Sequence, residues 1–434
     1  MHNLALELSQ LGHNVTGSDD EIYDPAYSRL KQACLLPDTM GWNSERIHRG
    51  IDVVILGMHA LLDNPELKRA EELGLKVVSF PRFVGDEVKA SKRIVICGSH
   101  GKSTITGMIM HALRAHELSF DFLLGGLLEG FDTMVRLRNC SIFVAEGDEY
   151  LSSRADRISK MMHYKGNIVV ITGIEWDHMN VFPTFDIYKN QFHDLVVQTN
   201  HLDGEVIAFA NDEVLNDVLD DAQPLRLTKY QGLHQSEDGS IIYEGKEYCS
   251  SIFGQHNMAN LNAALLVCQR LGITPNQFLT SMKDFHGVGK RLERISEDPI
   301  VYLDYAHAPS KVKATVEAVA NRHKNRKVVG IYELHTYSSL NVDFLPHYKG
   351  SMAAVDHCII FVDDHALMMK RMPQIPSELI NQSFNHVHLE VVTSREELEL
   401  RIARLKDSVE VFLFMSSGKF GGMNLEEVFE IHSK

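Results

Sequence analysis

The sequence predicts an α/β protein of three doubly wound domains, and three observations carry that expectation. Short apolar runs of Val, Ile, Leu and Phe recur along the whole chain and alternate with longer stretches of helical periodicity. Most of these runs stop at glycines or acidic residues, as buried parallel strands do when their carboxyl ends face a ligand cleft. The length, 434 residues, is enough for about three domains at ~150 residues each.

Composition removes several classes of function. The net charge of −15 argues against nucleic acid or an anionic membrane as partner, so any anionic ligand must be met by a local cluster of donors. No apolar run is long enough to span a membrane, and the start, Met1 to Gly12, lacks the basic and apolar regions of a secretory signal. The six cysteines are scattered without a CxxC pair, which suits reduced thiols in a cytoplasmic protein and gives no zinc site.

Residues 1–90 read as a small α/β domain. Leu4, Leu8 and Leu11 share one face of a helix over 2–12. Asn14-Val15-Thr16 reads as a strand ending at Gly17-Ser18-Asp19, the second half of a nucleotide-binding unit whose second strand closes on an acidic residue. As a plain turn residue Asp19 would look the same. The first strand of such a unit and its glycine loop would precede Met1. The expectation is a chain read from an internal methionine, or one that begins without its central strand. Val53 to Gly57 and Lys76 to Phe80 are the next two strands.

Residues 91–296 hold the segment around which the chain is organised. Arg93 to Cys97 is a buried strand, Gly98-Ser99-His100-Gly101-Lys102-Ser103-Thr104 a tight turn, and Ile105, Met108, Ile109, Ala112 and Leu113 the stripe of a helix. Strand, glycine loop, Lys-Ser and helix make a phosphate cradle: backbone N–H groups and the helix N-terminus meet the phosphate. Lys102 is placed to reach the β- and γ-phosphates and Ser103 to hold Mg²⁺. The usual loop has four residues between its glycines; two separate Gly98 from Gly101. The competing reading is an ordinary strand–helix turn.

Two further strands end in charged residues. Ile142 to Ala145 stops at Glu146-Gly147-Asp148-Glu149, and Ile168 to Ile171 leads into Glu175-Trp176-Asp177-His178. Strand ends flank the loop, so Glu146 is a candidate ligand for the Mg²⁺ of Ser103 and His178 for a second ion; otherwise both are solvated loop residues. His256, Asn257 and Asn260 open a later helix. The two asparagines, three apart, share a face and suit the edge of adenine, unless Asn257 only caps the helix. Residues 234–250 read as a polar hairpin, and Ile295 to Pro299 as a linker. Beyond it, residues 297–434 alternate strands and helices again, with Tyr302–Tyr305, Val328–Ile331, Cys358–Val362, His388–Val392 and Val411–Phe414 as strands.

Taken together, these motifs resemble those of the Mur ligases, ATP-dependent enzymes that join amino acids or peptides to UDP-N-acetylmuramate. The resemblance covers essentially the whole chain. Gly98 to Thr104 resembles the family's phosphate loop. Gly254-x-His256-Asn257-x-x-Asn260-x-x-Ala263-Ala264 is similar to its adenine-binding helix start. Arg291-Leu292-Glu293 resembles the segment whose arginine reaches the ATP phosphates, and Asp304 to Pro309 the opening of the C-terminal domain, whose aspartate contacts the nucleotide. The resemblance implies a Rossmann-like N-terminal domain that holds the UDP sugar, a central P-loop ATPase domain, and a Rossmann-like C-terminal domain that presents the amine. It also implies ATP and Mg²⁺ as cofactors, and Lys102, Glu146, His178 and Arg291 as catalytic residues.

Within the family, Glu146-x-Asp148-Glu149-Tyr150, Ser159 to Tyr164 and Met415-Ser416-Ser417-Gly418-Lys419-Phe420-Gly421-Gly422 resemble the branch that ligates the tripeptide L-Ala-γ-D-Glu-meso-diaminopimelate in peptidoglycan recycling. The alternatives are the L-alanine-adding ligase and, in another class, a degenerate nucleotide-binding regulatory protein. The chain departs from the family in four places. The N-terminal glycine loop has no counterpart, Gly173 replaces an asparagine, Phe192 stands where other branches carry a carbamylated lysine, and Thr336 replaces an arginine near the amine.

Overall fold

The computed structural model describes residues 1–176 and 181–431, which divide into two compact units. The first comprises 1–175, 184–231 and 263–278; the second 176–183, 232–262 and 279–434.

At the start of the first unit, helix His2–Gln10 buries Leu4 and Leu8 as its periodicity predicts, whereas Leu11, expected on the same face, lies past the helix end and is exposed. Strands Val53–Leu56 and Lys76–Ser79 pair in parallel, and helix Pro65–Glu72 crosses between them, begun by the Asn64 side chain. The strand expected at 14–16 does not form. Those residues are half-buried or exposed, and among the described residues no strand lies beside them to complete a ladder. Ser18 is tied instead to Glu66 at 2.8 Å and receives a hydrogen bond from Arg46.

The main sheet of this unit has seven strands. Across it run Val135–Arg136, Asp121–Leu123, Ile142–Glu146, Lys92–Cys97, Ile168–Ile171, Glu205–Phe209 and Leu227–Tyr230. Only the Val135–Arg136 edge is antiparallel. Its central strands are buried on both faces, so they read as continuous apolar runs instead of alternating ones. Chain order reverses around Lys92–Cys97, which has Ile142–Glu146 on one side and Ile168–Ile171 on the other. That is the switch point at which such sheets open a cleft.

In the second unit a six-stranded sheet runs Glu293–Glu297, Ile300–Asp304, Val411–Met415, Val328–Glu333, His357–Phe361 and Leu389–Val392. Successive residues alternate between two cores. Val301, Ile331, Phe361, Phe412 and Phe414 fill one; Tyr302, Tyr332, Ile360, Leu413 and Met415 fill the other. The stretch read as a linker is corrected here. Residues 295–297 belong to an edge strand paired antiparallel with Ile300–Asp304, and Asp298-Pro299 is only the turn between them. The polar hairpin is a three-stranded antiparallel sheet of His234–Gln235, Ile241–Tyr243 and Lys246–Tyr248.

Candidate active site

The strand–loop–helix of the first unit forms as its sequence predicts. Strand Lys92–Cys97 ends at Gly98, whose φ of +111° and lack of a side chain are both required: a Cβ there would lie 2.3 Å from the Thr172 hydroxyl. Helix Lys102–Ala115 then starts from Gly101 with no side-chain cap, so its first turn is left to serve a ligand. Thr104 is half-buried in that turn. The His100 ring lies 2.9 Å from Glu175, and the His100 carbonyl accepts the Thr172 hydroxyl.

Pairing aligns Ile96 with Glu146, which levels the acidic strand end with the loop. The Ser103 hydroxyl donates to Glu146 at 2.8 Å, and the Gly125 N–H donates to the other carboxylate oxygen at 2.9 Å. A separation of 2.8 Å is close to the ~2.9 Å between neighbouring ligands of an octahedral ion at 2.0–2.1 Å, so the pair fits Mg²⁺. Among the described residues no three His, Cys, Asp or Glu side chains converge on a metal by themselves. Mg²⁺ bound through one or two protein oxygens and substrate phosphates needs no such cluster. His178, expected to hold a second ion, lies outside the described residues.

Lys102 donates to the Gly98 carbonyl at 2.9 Å and to Glu149 at 3.1 Å, with Asp148 at 3.9 Å. Burial opposes its ammonium, but Glu149, Asp148 and Glu146 outweigh that cost and hold its pKa above the ordinary lysine value. Glu149 is 2% exposed. Its second oxygen faces the Tyr188 hydroxyl at 3.3 Å, which also contacts Ser99 at 3.2 Å. Sequence reasoning missed Tyr188, because a tyrosine on the buried face of helix Phe185–His201 reads as core. Phe192, which the sequence reading sets against a carbamylated lysine of other branches, is core: it is fully buried and packs edge-on to Tyr188.

The second unit brings together the other expected nucleotide residues in two groups. Asn257 and Asn260 share a face of helix Gln255–Arg270, where Asn260 donates to Asn257 at 3.2 Å. Asn257 lies inside the helix, so it is no cap. His256 beside it is half-buried. The Arg291 guanidinium stacks 4.3 Å from the Tyr305 ring centroid. Asp304 accepts the N–H groups of Leu292 and Ala306, at 2.6 and 2.7 Å, and the Thr315 hydroxyl at 3.3 Å, so it fixes the segments on either side of that stack.

At the carboxyl ends of Val328–Glu333 and Val411–Met415, Glu333 is 2% exposed. It accepts the Ser416 hydroxyl and the Phe420 N–H, and the His335 ring is 3.5 Å away. Burial pushes its carboxyl up, but these donors outweigh it and hold the pKa below the ordinary glutamate value. In the turn of 418–422 the Gly418 and Gly422 N–H groups are bonded inside the turn. The Gly418 N–H binds Ser416, the Gly422 N–H binds the Lys419 carbonyl, and a Cβ on Gly418 would lie 2.7 Å from both Glu333 and His335. Lys370 donates to the His335 carbonyl, with its ammonium 5.3 Å from the centroid of the Tyr337 ring, and among the described residues no carboxylate pairs with it.

Comparison with known proteins shows the family. Residues 96–268 match the Mur ligase middle domain, and residues 290–418 the Mur ligase glutamate ligase domain. A UDP-N-acetylmuramate–L-alanine ligase from Syntrophomonas wolfei is 24% identical over 98% of this chain and 94% of its own. The UDP-N-acetylmuramate–L-alanyl-γ-D-glutamyl-meso-2,6-diaminoheptandioate ligase of Escherichia coli is 26% identical with the same coverage of both chains. The crystal structure of a murein peptide ligase from Psychrobacter arcticus superimposes with a TM-score of 0.68, at 23% identity over all of this chain and 97% of that one. The chain belongs to the Mur ligase family and is an ATP-dependent acid–amino acid ligase with N-terminal, middle ATPase and C-terminal domains.

Proposed function

We propose that the chain joins a cell-wall peptide, L-Ala-γ-D-Glu-meso-diaminopimelate, to UDP-N-acetylmuramate in peptidoglycan recycling, as a cytoplasmic protein. Residues 1–90 serve the UDP sugar, 91–296 the ATP and 297–434 the amine. The lactyl carboxylate attacks the γ-phosphorus of ATP and ADP leaves; the peptide amine then attacks the acyl carbon and phosphate leaves. Phosphoryl transfer needs mainly positioning and charge neutralisation. Lys102 neutralises the phosphates; Ser103 and Glu146 would hold one Mg²⁺ and His178 a second, and such ions would add to that neutralisation. His256, Asn257 and Asn260 take the adenine, Arg291 reaches the phosphates, and Asp304 fixes Arg291 and Tyr305.

The observation that carries the nucleotide half is the Ser103–Glu146 pair in a loop that also presents Lys102. Support for a peptide is the Lys370 ammonium, half-buried with only the Glu333 charge acting on it from a distance, in a region where Tyr337, Met368 and Met369 are exposed. An acidic peptide has both the carboxylate and the length to use that surface. The filled space beside Gly418 favours a second reading, the L-alanine ligase, because Glu333 and His335 leave no room there for a long amine substrate. Phosphate release from ATP and UDP-N-acetylmuramate, measured with the tripeptide and with L-alanine, separates the two. A higher kcat/KM for the tripeptide supports the proposal; equal or better use of L-alanine replaces it with the second reading. No release with either amine returns the chain to nucleotide binding alone.

A further inference from the structure

Ligand exchange at the phosphate loop has an internal competitor. The Lys102 ammonium needed by nucleotide phosphate is already bound to Glu149, at 3.1 Å and out of solvent. Glu149 is itself held. Tyr188, fully buried, faces its other oxygen at 3.3 Å and Ser99 of the loop at 3.2 Å, while the Ser99 oxygen accepts the Glu175 N–H at 2.7 Å. Lys160 bonds Asp148 at 3.0 Å and so takes up part of the neighbouring negative charge, but not that of Glu149. We propose that Glu149, oriented by Tyr188, is a positioning residue that competes with nucleotide phosphate for the Lys102 ammonium and so sets nucleotide affinity.

The signs follow from the network. Replacing Glu149 by glutamine keeps its shape and removes its charge, so Lys102 no longer has a rival partner and phosphate meets less repulsion. Replacing Tyr188 by phenylalanine keeps the ring packing but strips a donor from a buried carboxylate, which then leans harder on Lys102. Without Lys102 there is no ammonium to compete for, so the gain from Glu149→Gln loses its source.

The test is a calorimetric titration of the full chain with Mg·ADP, which needs no amine substrate and so stands apart from the peptide proposal. Glu149→Gln should bind at least about 5-fold tighter, Tyr188→Phe about 2-fold weaker or more, and in a Lys102→Ala background the gain from Glu149→Gln should fall below about 2-fold. General damage to the loop cannot move two isosteric variants in opposite directions. The inference is overturned if Glu149→Gln binds equally or more weakly, if both variants shift the same way, or if the gain survives without Lys102. Should Glu149→Gln not fold, the sign for Tyr188→Phe decides: unchanged or tighter binding overturns the proposal.

Discussion

Two strand ends carry glutamates held by protein partners, and the partners differ. In the first unit, Glu146 and Glu149 hold a serine hydroxyl and a lysine ammonium. A metal ion can replace the first contact and a phosphate the second, without unfolding anything. In the second unit, Glu333 is bonded to Ser416 and to the main-chain N–H of Phe420, and it closes the Gly418 turn from beneath. No ligand can substitute for those partners while the turn keeps its shape. An acid at a strand end is therefore a reactive group or a structural strut according to its partners, and variants at five positions can sharpen or break that distinction.

The largest effect is expected at Lys102. Lys102→Ala should lower turnover on the order of 10²–10³-fold while far-UV circular dichroism stays unchanged, because the role proposed for the side chain is to neutralise transferring phosphate and not to support a core. Next is Glu333→Ala, expected to cost about 2–3 kcal/mol in denaturant unfolding, since it strands a buried hydroxyl and N–H. Because the folded carboxyl lies below its ordinary value of 4.5, its ionic contribution is complete above that pH and fades as pH falls through the folded value. The stability gap between wild type and Glu333→Gln should accordingly narrow below about pH 4.5. Glu146→Ala should raise the Mg²⁺ needed for half-maximal rate about 10-fold, and His178→Ala gives the same readout for the second ion. Smallest is Gly418→Ala, which should cost about 1 kcal/mol as Glu333 and His335 give way to a methyl group, with nucleotide affinity unchanged.

Much of the phosphate loop was legible in the sequence because its signals are local. Arg93 to Leu113 contains a strand, its turn glycines and a helical stripe in one continuous stretch, and Glu146 follows an apolar run that could only be buried. Features that depend on distant partners were not legible. Tyr188 meets Glu149 from 39 positions away and looks like core from its own neighbourhood. Asn14 to Thr16 has the residues of a strand but no ladder to join. Ile295 to Pro299 has linker composition, yet its Ser296 and Glu297 pair with Val301 and Ile300 across a tight turn. Nor does the sequence around Gly418 show that Glu333 and His335, more than 80 positions away, fill the space beside it.

The distinction between the two strand ends is tested most directly by one crossed measurement: Glu146→Gln and Glu333→Gln, each examined for Mg·ADP affinity and for melting temperature. Glu146→Gln should lose about 10-fold or more in affinity with the melting temperature within a degree or two of wild type. Glu333→Gln should melt about 4 °C lower or more while its folded form binds Mg·ADP as wild type does. The account is contradicted if Glu146→Gln is destabilised without losing affinity, or if Glu333→Gln keeps its melting temperature and loses Mg·ADP.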